Sequence, residues 1–373
     1  MTSRHFSVAF VMVIALFVAL NAAVWWLFTG KILARHGDAI TGDLARIGYI
    51  ADVVHPRKNQ TNLPRLHIDR ADYQGQALDM VTIGDSFSQG AGGGLNRYYQ
   101  DHIATEMGWS ILNLQDPPAS RGPIETAAAL AGSGFLRQAQ VRYVLIETTQ
   151  RKVTERLTDP AHLKTRLGRD ELEAFYRFGD NNKQDFNFAL PETSFINNGN
   201  LKYLAYQALY PFDDCAFISE SCRVRLDRRL FSAGSGDEML YYAKDARSMK
   251  RHTIENIERL NTTLNALAAR LREQGVTLIF MPAVSKYDLY QDHFKDNQKP
   301  RDPFFDLLRQ QRRDYLLLDT KAVLGAGVKA GEQDIFYIDD THWATRASER
   351  IALAFKAMLV SKDAGGNMEF QRP

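Results

Sequence analysis

Apolar residues are spaced in two different ways along most of this chain, and the spacing predicts the fold. Short apolar runs, typical of buried strands, alternate with stretches whose apolar residues recur every three to four positions, typical of helices. This alternation predicts an α/β fold with a parallel sheet. The candidate strands are Leu78–Ile83, Ile111–Leu114, Tyr143–Glu147, Thr277–Met281 and Tyr315–Leu318.

Two helical stretches and one irregular stretch complete this pattern. The first helix runs from about Ala246 to Gln274, and a second follows residue 344 with Ile351 and Phe355 on its apolar face. Residues 154–242 are rich in Asn, Asp, Arg and aromatic residues, which favours an irregular insertion. The insertion either shapes a substrate groove or is a plain surface excursion.

The N-terminus follows neither pattern, because Phe6 to Phe28 is almost continuously apolar. At ~1.5 Å per residue this run spans a bilayer core of about 30 Å. Trp25 and Trp26 close it as an interfacial belt would. The alternative is a cleaved signal peptide, but no small-x-small pair follows the run cleanly, so an uncleaved anchor is favoured. The basic residues on its two sides give its orientation little support.

These patterns divide the chain into consecutive parts. We expect a transmembrane anchor at 1–30, a linker at 31–75, an α/β domain at 76–361 that contains the insertion, and a tail at 362–373.

The composition limits the cellular compartments and binding partners that the protein is expected to have. The formal net charge of +2 gives no reason to expect nucleic acid. Cys215 and Cys222 can close a small disulfide loop, which favours an oxidising compartment; two free thiols in a cytosolic chain are the alternative. The chain has no Cys/His metal cluster, and its Gly90–Gly94 stretch lacks the lysine of a P-loop. We therefore expect neither a metal nor a cofactor.

Two distant motifs carry the candidate chemistry. Ser86 lies in Gly84-Asp85-Ser86-Phe87-Ser88 after a predicted strand, and His342 lies in Asp340-Thr341-His342-Trp343 before a predicted helix. Either motif alone is ordinary turn or cap chemistry. A serine hydroxyl becomes a nucleophile when an imidazole takes its proton and a carboxylate orients the imidazole. The pair of motifs therefore predicts a Ser-His-Asp triad.

The third member of this triad depends on the backbone before His342. In an extended segment, residues two apart share a side, so that Asp340 faces with His342; in a first helical turn, Asp339 does. We expect Asp85 to stabilise the serine turn.

The two motifs resemble those of the SGNH (GDSL-like) hydrolase superfamily, and more closely those of the alginate O-acetyltransferase AlgX/AlgJ-like group, from roughly Leu78 to Leu359. The resemblance implies a three-layer α/β/α fold and favours Asp340. It also implies an acyl-serine intermediate and acetyl transfer to an exported polysaccharide. By resemblance, a multi-pass membrane acyltransferase supplies the acetyl, and the domain lies in the bacterial periplasm on a single inner-membrane anchor.

The resemblance extends to further candidate residues, with two departures. Lys286 and Tyr290 follow one strand, and Gln150 and Arg151 follow another that ends in Glu147. The acetyltransferase group places its DTHW motif before GDSFS, whereas here GDSFS comes first. The Gly-x-Asn-Asp motif of SGNH enzymes is also replaced, by Glu147-Thr148-Thr149-Gln150.

The candidate oxyanion donors are therefore open. They are the Ser86 N–H, Gly122 in the place of the superfamily's oxyanion glycine, and the side chains of Gln150 and Arg151. Gly122 is alternatively a loop glycine before a helix, and Lys286 and Tyr290 are alternatively a solvated loop edge.

Two other functions fit the same residues. An acyl-serine attacked by water gives an acetylesterase or lipase-like hydrolase. A glycan-binding or scaffold component of an exporter, with a lapsed site, is the non-enzymatic alternative.

Overall fold

The computed structural model describes residues 3–33, 41–53, 55, 57, 63–115, 122–164, 194–295 and 300–366. Within these residues, a central sheet contains six parallel strands in the order β1-β3-β2-β4-β7-β8, and β5 and β6 form a separate antiparallel pair. The strands are β1 (Ile68–Asp69), β2 (Met80–Ile83), β3 (Ile111–Gln115), β4 (Tyr143–Thr149), β5 (Ser221–Arg225), β6 (Glu238–Tyr242), β7 (Thr277–Ala283) and β8 (Leu316–Leu317).

The described residues also form helices, several of which flank this sheet. They are α1 (Ser3–Val24), α2 (Gly30–Leu33), α3 (Asp43–Gly48), α4 (Tyr99–Met107), α5 (Pro123–Ser133), α6 (Phe135–Gln138), α7 (Val153–Leu157), α8 (Asn198–Leu209), α9 (Ala243–Ser248), α10 (Ile254–Arg272), α11 (Lys286–Tyr290), α12 (Phe304–Arg309), α13 (Thr320–Lys329) and α14 (Thr345–Gly366). Helix α4 packs with α14, and α10 packs with α5, α7 and α12.

The strand order explains this grouping. The chain passes from β2 to β3 on one side and then to β4 on the other, so its direction reverses at β2. Because crossovers between parallel strands are right-handed, connections in opposite directions cover opposite faces of the sheet. Such a reversal is where open α/β sheets place their sites, and the residue run that contains Ser86 leaves the sheet there.

The predicted α/β class is confirmed, and all five predicted strands are present. Their continuous apolar runs follow from burial on both faces, since β2 and nearly all of β4 and β7 are buried. The sequence did not reveal β1, which has two residues, β5, whose residues are mostly polar, or β6, which lies in the stretch predicted to be irregular.

The N-terminal helix is the one element of the described chain that is long and apolar enough to cross a membrane. Helix α1 continues through a π-helical turn, Trp25–Thr29, into α2. From Ser3 to Leu20 nearly every residue is exposed, and Asn21 is the first that is buried against the domain. The predicted apolar N-terminal helix is thus present.

The predicted insertion lies between β4 and α10. It contains α8 and the β5–β6 pair, and Cys215 and Cys222 form the predicted disulfide. Residues 165–193 of the insertion and 367–373 of the predicted tail lie outside the described residues. The domain boundaries stay predictions.

Candidate active site

Ser86 lies in a tight turn directly after β2. The turn passes so close to its neighbours that a Cβ on Gly84 would lie 2.0 Å from the Ser88 Oγ and 2.5 Å from the Glu147 Oε2. Only glycine fits there. The Ser86 side chain is half-buried, whereas Gly84, Asp85, Phe87 and Ser88 around it are buried.

The carboxyl group of Glu147, at the end of β4, holds this turn. Its Oε2 accepts hydrogen bonds from the Asp85 N–H (3.0 Å), the Ser88 N–H (3.2 Å) and the Ser88 hydroxyl (2.9 Å). Burial and then the charge of Asp85 raise the pKa of Glu147 well above its ordinary value. Asp85 in turn accepts from the Thr149 N–H at 3.0 Å and from Arg156 at 3.2 Å. Asp85 therefore stabilises the turn by joining it to β4.

His342 meets Ser86 across the carboxyl edge of the sheet. The His342 Nε2 lies 2.8 Å from the Ser86 Oγ, and the His342 Nδ1 lies 2.7 Å from the Asp340 Oδ1. The Asp340 Oδ1 also accepts the His342 backbone N–H at 2.9 Å. Phe87 packs on the imidazole with ring centroids 4.9 Å apart. Ser86, His342 and Asp340 thus form one continuous hydrogen-bonded chain.

The two candidate carboxylates have different surroundings. Asp340 faces His342, whereas Asp339 faces residues near the N-terminus. The segment forms a turn at residues 338–339 and a bend at 341–342. The Asp339 Oδ2 accepts from the Gly42 N–H at 2.9 Å and the His55 N–H at 3.2 Å. A Cβ on Gly42 would lie 2.1 Å from the Asp339 carbonyl oxygen, so the contact requires glycine.

Arg57 joins both carboxylates and is buried with them. Its Nη1 donates to the Asp339 Oδ1 at 2.8 Å and its Nη2 to the Asp340 Oδ2 at 3.1 Å. Its guanidinium carbon lies 4.2 Å from the centre of the Tyr337 ring. Burial opposes ionisation of Asp340, but the His342 hydrogen bond and the charges of His342 and Arg57 outweigh it and hold the pKa of Asp340 well below its ordinary value.

Asp43, the first residue of α3, completes this arrangement. Its carboxylate accepts the Thr341 N–H at 2.7 Å and the Thr341 hydroxyl at 2.5 Å, and lies 3.8 Å from the His342 Nδ1. Burial and the charge of Asp340 raise the pKa of Asp43 to about 6. For His342, burial lowers the pKa, but the hydrogen bond and charge of Asp340 and the charge of Asp43 outweigh it and raise the pKa.

Asp43, Asp340 and His342 are also the one group in the described residues with suitable donors for a metal ion, within 4.8 Å of one another. A metal bound there would take the Nδ1 electron pair of His342 and break its hydrogen bond to Asp340. The geometry instead matches a neutral imidazole that donates from Nδ1 and accepts at Nε2.

Lys286 and Tyr290 lie beneath the His342 loop. The Lys286 ammonium is fully buried and donates to the carbonyl oxygens of Tyr337 (2.6 Å), Ile338 (2.7 Å) and Asp340 (3.3 Å). Burial lowers the pKa of Lys286 to about 7. The fully buried Tyr290 hydroxyl accepts the Phe336 N–H at 3.3 Å. Both side chains hold the backbone that leads to Asp340, and neither forms a solvated loop edge.

The Gln150 amide is committed to other partners. It donates to Asp288 and Asp302, both at 2.9 Å, and its oxygen accepts the Ser285 N–H at 2.8 Å. Arg151 pairs with Asp245 at 3.2 Å and remains partly exposed. Its positive charge acts to lower the pKa of His342.

Gly122 lies directly before α5, as its alternative interpretation expects. Its N–H donates to Glu125 at 3.3 Å. The loop before it, residues 116–121, is outside the described residues. Its role as an oxyanion glycine stays a prediction.

The sequence did not indicate that Asp43 and Arg57 belong to the site, or that Glu147 holds the turn that carries Ser86. Asp43 and Arg57 lie within the predicted linker, and their partners are more than 280 residues away along the chain. The sequence did contain a signal for Glu147, because a carboxylate at the end of an otherwise apolar run needs a buried partner.

In comparisons with known protein families, the C-terminal part of the chain has a match. The family model described as an SGNH hydrolase-like domain of the acetyltransferase AlgX matches residues 235–372, which include Lys286, Asp340 and His342. The predicted resemblance is confirmed over these residues, and it supports an esterase- or acyltransferase-type enzyme. Ser86 precedes the matched residues.

Among solved structures, the lipase Lip_vut3 from a goat rumen metagenome is similar to 76% of this chain over 97% of its own, with 13% identity and a TM-score of 0.36. No curated protein matches the chain.

Proposed function

We propose that this protein is an O-acetyltransferase that carries acetyl on Ser86 and delivers it to a hydroxyl group of an exported polysaccharide. The observation that carries the proposal is the hydrogen-bonded chain from the Ser86 hydroxyl through His342 to Asp340, with 2.8 Å and 2.7 Å between successive atoms. The AlgX description of the matched domain supports acetyl as the transferred group.

The residues perform the transfer in two halves. The Ser86 Oγ attacks the carbonyl carbon of the acetyl donor while the His342 Nε2 takes the hydroxyl proton. The tetrahedral intermediate collapses, the donor's leaving group receives that proton, and acetyl-Ser86 remains. A sugar hydroxyl then gives its proton to His342 and attacks the acetyl-serine, and the Ser86 hydroxyl is restored.

Asp340 stabilises the imidazolium that forms in each half. Its depressed pKa keeps it ionised, so that it accepts the Nδ1–H and holds the tautomer with a free Nε2. Arg57 and the Asp43 N–H, 3.2 Å from the Asp340 Oδ2, hold the carboxylate in position.

The oxyanion donors in this proposal are the Ser86 N–H and the Arg151 guanidinium. The Gly122 N–H is not counted among them, because it donates to Glu125 at 3.3 Å. No hydrogen-bond acceptor for the Ser86 N–H is found in the described part of the chain. Arg151 offers a cation whose charge is felt by His342, and its side chain is partly exposed. We leave Gln150, Lys286 and Tyr290 out of this group because their polar atoms serve the protein itself.

The proposed location is the periplasmic face of a bacterial inner membrane. The apolar helix Ser3–Leu33 supports an anchor, and its polar contacts with the domain support its retention after export. The disulfide supports an oxidising compartment. A multi-pass membrane acyltransferase would then supply acetyl to a domain held beside it.

The proposal is tested with the purified full chain in detergent and a chromogenic acetyl ester. We expect hydrolysis that Ser86→Ala and His342→Ala each abolish, because triad members act as a unit. Oligosaccharides from the host's exopolysaccharide should then divert acetyl from free acetate to sugar. If acetate alone accumulates at every acceptor concentration, an esterase replaces the transferase. If neither reaction occurs, the non-catalytic glycan-binding function replaces both.

A further inference from the structure

The insertion exposes apolar side chains directly beside the N-terminal helix. On α8, Leu201 and Leu204 are 53% and 38% exposed, and Phe195 and Ile196 just before it are 42% and 39% exposed. We call these four residues the α8 patch. Ala205 and Ala208 continue the same exposed stripe at helical spacing, and Phe212 follows with 79% exposure. The polar Asn200 instead faces the protein and is buried.

Helix α8 is therefore oriented opposite to an ordinary surface helix, which buries its apolar stripe. A contiguous exposed apolar surface marks a contact with a membrane or a partner.

The contacts of α8 fix its position relative to the anchor. The Asn200 Nδ2 donates to the Asn21 Oδ1 at 2.9 Å, and the Thr29 hydroxyl donates to the Asn200 Oδ1 at 2.5 Å. The Phe28 and Tyr203 rings stack with centroids 4.8 Å apart. Helix α8 is thus bonded to the end of the apolar helix that adjoins the domain.

The length of the free part of the anchor sets the level of the bilayer surface. Ser3 to Leu20 projects from the domain, and at ~1.5 Å per residue it covers most of a bilayer core of about 30 Å. The boundary of the core therefore falls near Asn21, which is where Asn200 is bonded.

Charge also favours lipid as the neighbour. From Ser194 to Phe212 the chain has no acidic residue, and its one charged side chain is the exposed Lys202. A helix with an exposed apolar stripe, one basic residue and no acidic residue meets no charge repulsion at an anionic membrane surface.

We infer that α8 lies in the bilayer surface with the α8 patch among the lipid headgroups, so that the domain rests on its membrane through two adjoining contacts. The inference rests on the proposed anchor and is independent of the proposed reaction. It gives the catalytic domain a fixed orientation, since α8 is also joined to the segment that carries Asp43. The Gln207 amide donates to the Tyr49 carbonyl at 3.0 Å, and the Tyr210 hydroxyl donates to the Gly48 carbonyl at 3.2 Å.

The test places the photoreactive residue p-benzoylphenylalanine at Leu201 or Leu204 in the full chain. The protein is reconstituted alone into vesicles of phosphatidylethanolamine and phosphatidylglycerol, illuminated and digested for mass spectrometry. The matched controls carry the same residue at Ile254 or Leu353, which are 61% and 56% exposed on other helices. A variant at Phe17 in the anchor verifies insertion.

We expect lipid adducts at Leu201 and Leu204 in at least about fivefold higher yield than at the two controls. Equal yields overturn the inference, and so does the absence of adducts at Phe17, because the anchor is then not in the bilayer. A main adduct with a second copy of the chain would make this face a dimer interface. In intact cells, replacement of the lipid adduct by a protein adduct would assign the face to a partner protein.

Discussion

The two loops that meet in the site are held in different ways. The nucleophile loop, Gly84–Ser88, is fastened by β4, whose residues lie beside it in the same sheet. The base loop, Asp339–Trp343, is fastened by Gly42, Asp43 and Arg57 from near the N-terminus and by Lys286 from below. Sheet register thus places the serine, whereas buried charges place the histidine. The nucleophile loop should tolerate loss of a charge, and the base loop should not.

The largest difference should lie within the base loop itself. Asp340→Asn should lower kcat about 10⁴-fold, because the imidazole loses the acceptor that sets its tautomer. Asp339→Asn should cost far less, since Asp339 contacts Arg57 and backbone N–H groups and not His342. Steady-state kinetics on acetyl ester give the ranking. The reverse ranking would move the orienting role to Asp339, and melting curves would show whether both variants are folded.

Breaking one charge pair in each loop tests the comparison directly. Arg57→Met leaves two buried carboxylates without their cation and should destabilise the protein by about 3–5 kcal/mol. Arg156→Met is the control, because Arg156 is partly exposed and pairs with Asp85 of the nucleophile loop; it should cost clearly less than Arg57→Met, since Asp85 keeps the Thr149 N–H as a donor. Denaturant unfolding measures both, and equal costs would remove the proposed difference between the loops.

Two substitutions of Glu147 separate the contribution of its hydrogen bonds to the nucleophile loop from the contribution of its charge. Because burial opposes ionisation of Glu147 and raises its pKa, the neutral amide of Glu147→Gln should keep activity within about tenfold. Glu147→Leu removes the acceptor of three buried donors, each costing about 1–3 kcal/mol when left unpaired. A Gln variant as damaged as the Leu variant, in activity and in unfolding free energy, would show that the charge itself holds the loop.

The smallest predicted effect is on pH dependence. His342 must be neutral to accept the Ser86 proton, and its pKa is raised above 6.5, so activity should fall as the pH drops through that raised value. Asp43 contributes to this increase, so Asp43→Asn should move the acid limb of kcat/KM to lower pH. Asp79→Asn, which breaks an exposed pair with Arg142, should leave it in place. If Asp43→Asn moves the acid limb to higher pH, the negative charge of Asp43 does not raise the pKa of His342, and this assignment is wrong.

Much of the fold could be predicted because local patterns of apolar residues determine its strands and helices. Strands buried on both faces read as continuous apolar runs, and this located the sheet and the turn that carries Ser86. The choice between Asp340 and Asp339 needed only the backbone conformation before His342.

The supporting residues could not be predicted in this way. Arg57 lies in a polar, Pro-containing stretch that looks like a spacer, and its burial depends on carboxylates at the far end of the chain. Lys286 was a candidate substrate contact by resemblance, with a solvated loop edge as the alternative, and neither interpretation anticipates a fully buried lysine. Its place under the base loop follows from three carbonyl oxygens that only the tertiary structure brings together.

The central claim is that acetyl passes through Ser86, and one measurement tests it most directly. The purified full chain is mixed with excess acetyl ester, quenched in acid within the first turnovers and digested for mass spectrometry. The account predicts one acetyl group on the peptide that contains Ser86, increased in amount when ester turnover is limited by deacylation and absent in Ser86→Ala. Turnover with no acetyl on Ser86, or with acetyl on another residue in both proteins, would contradict it.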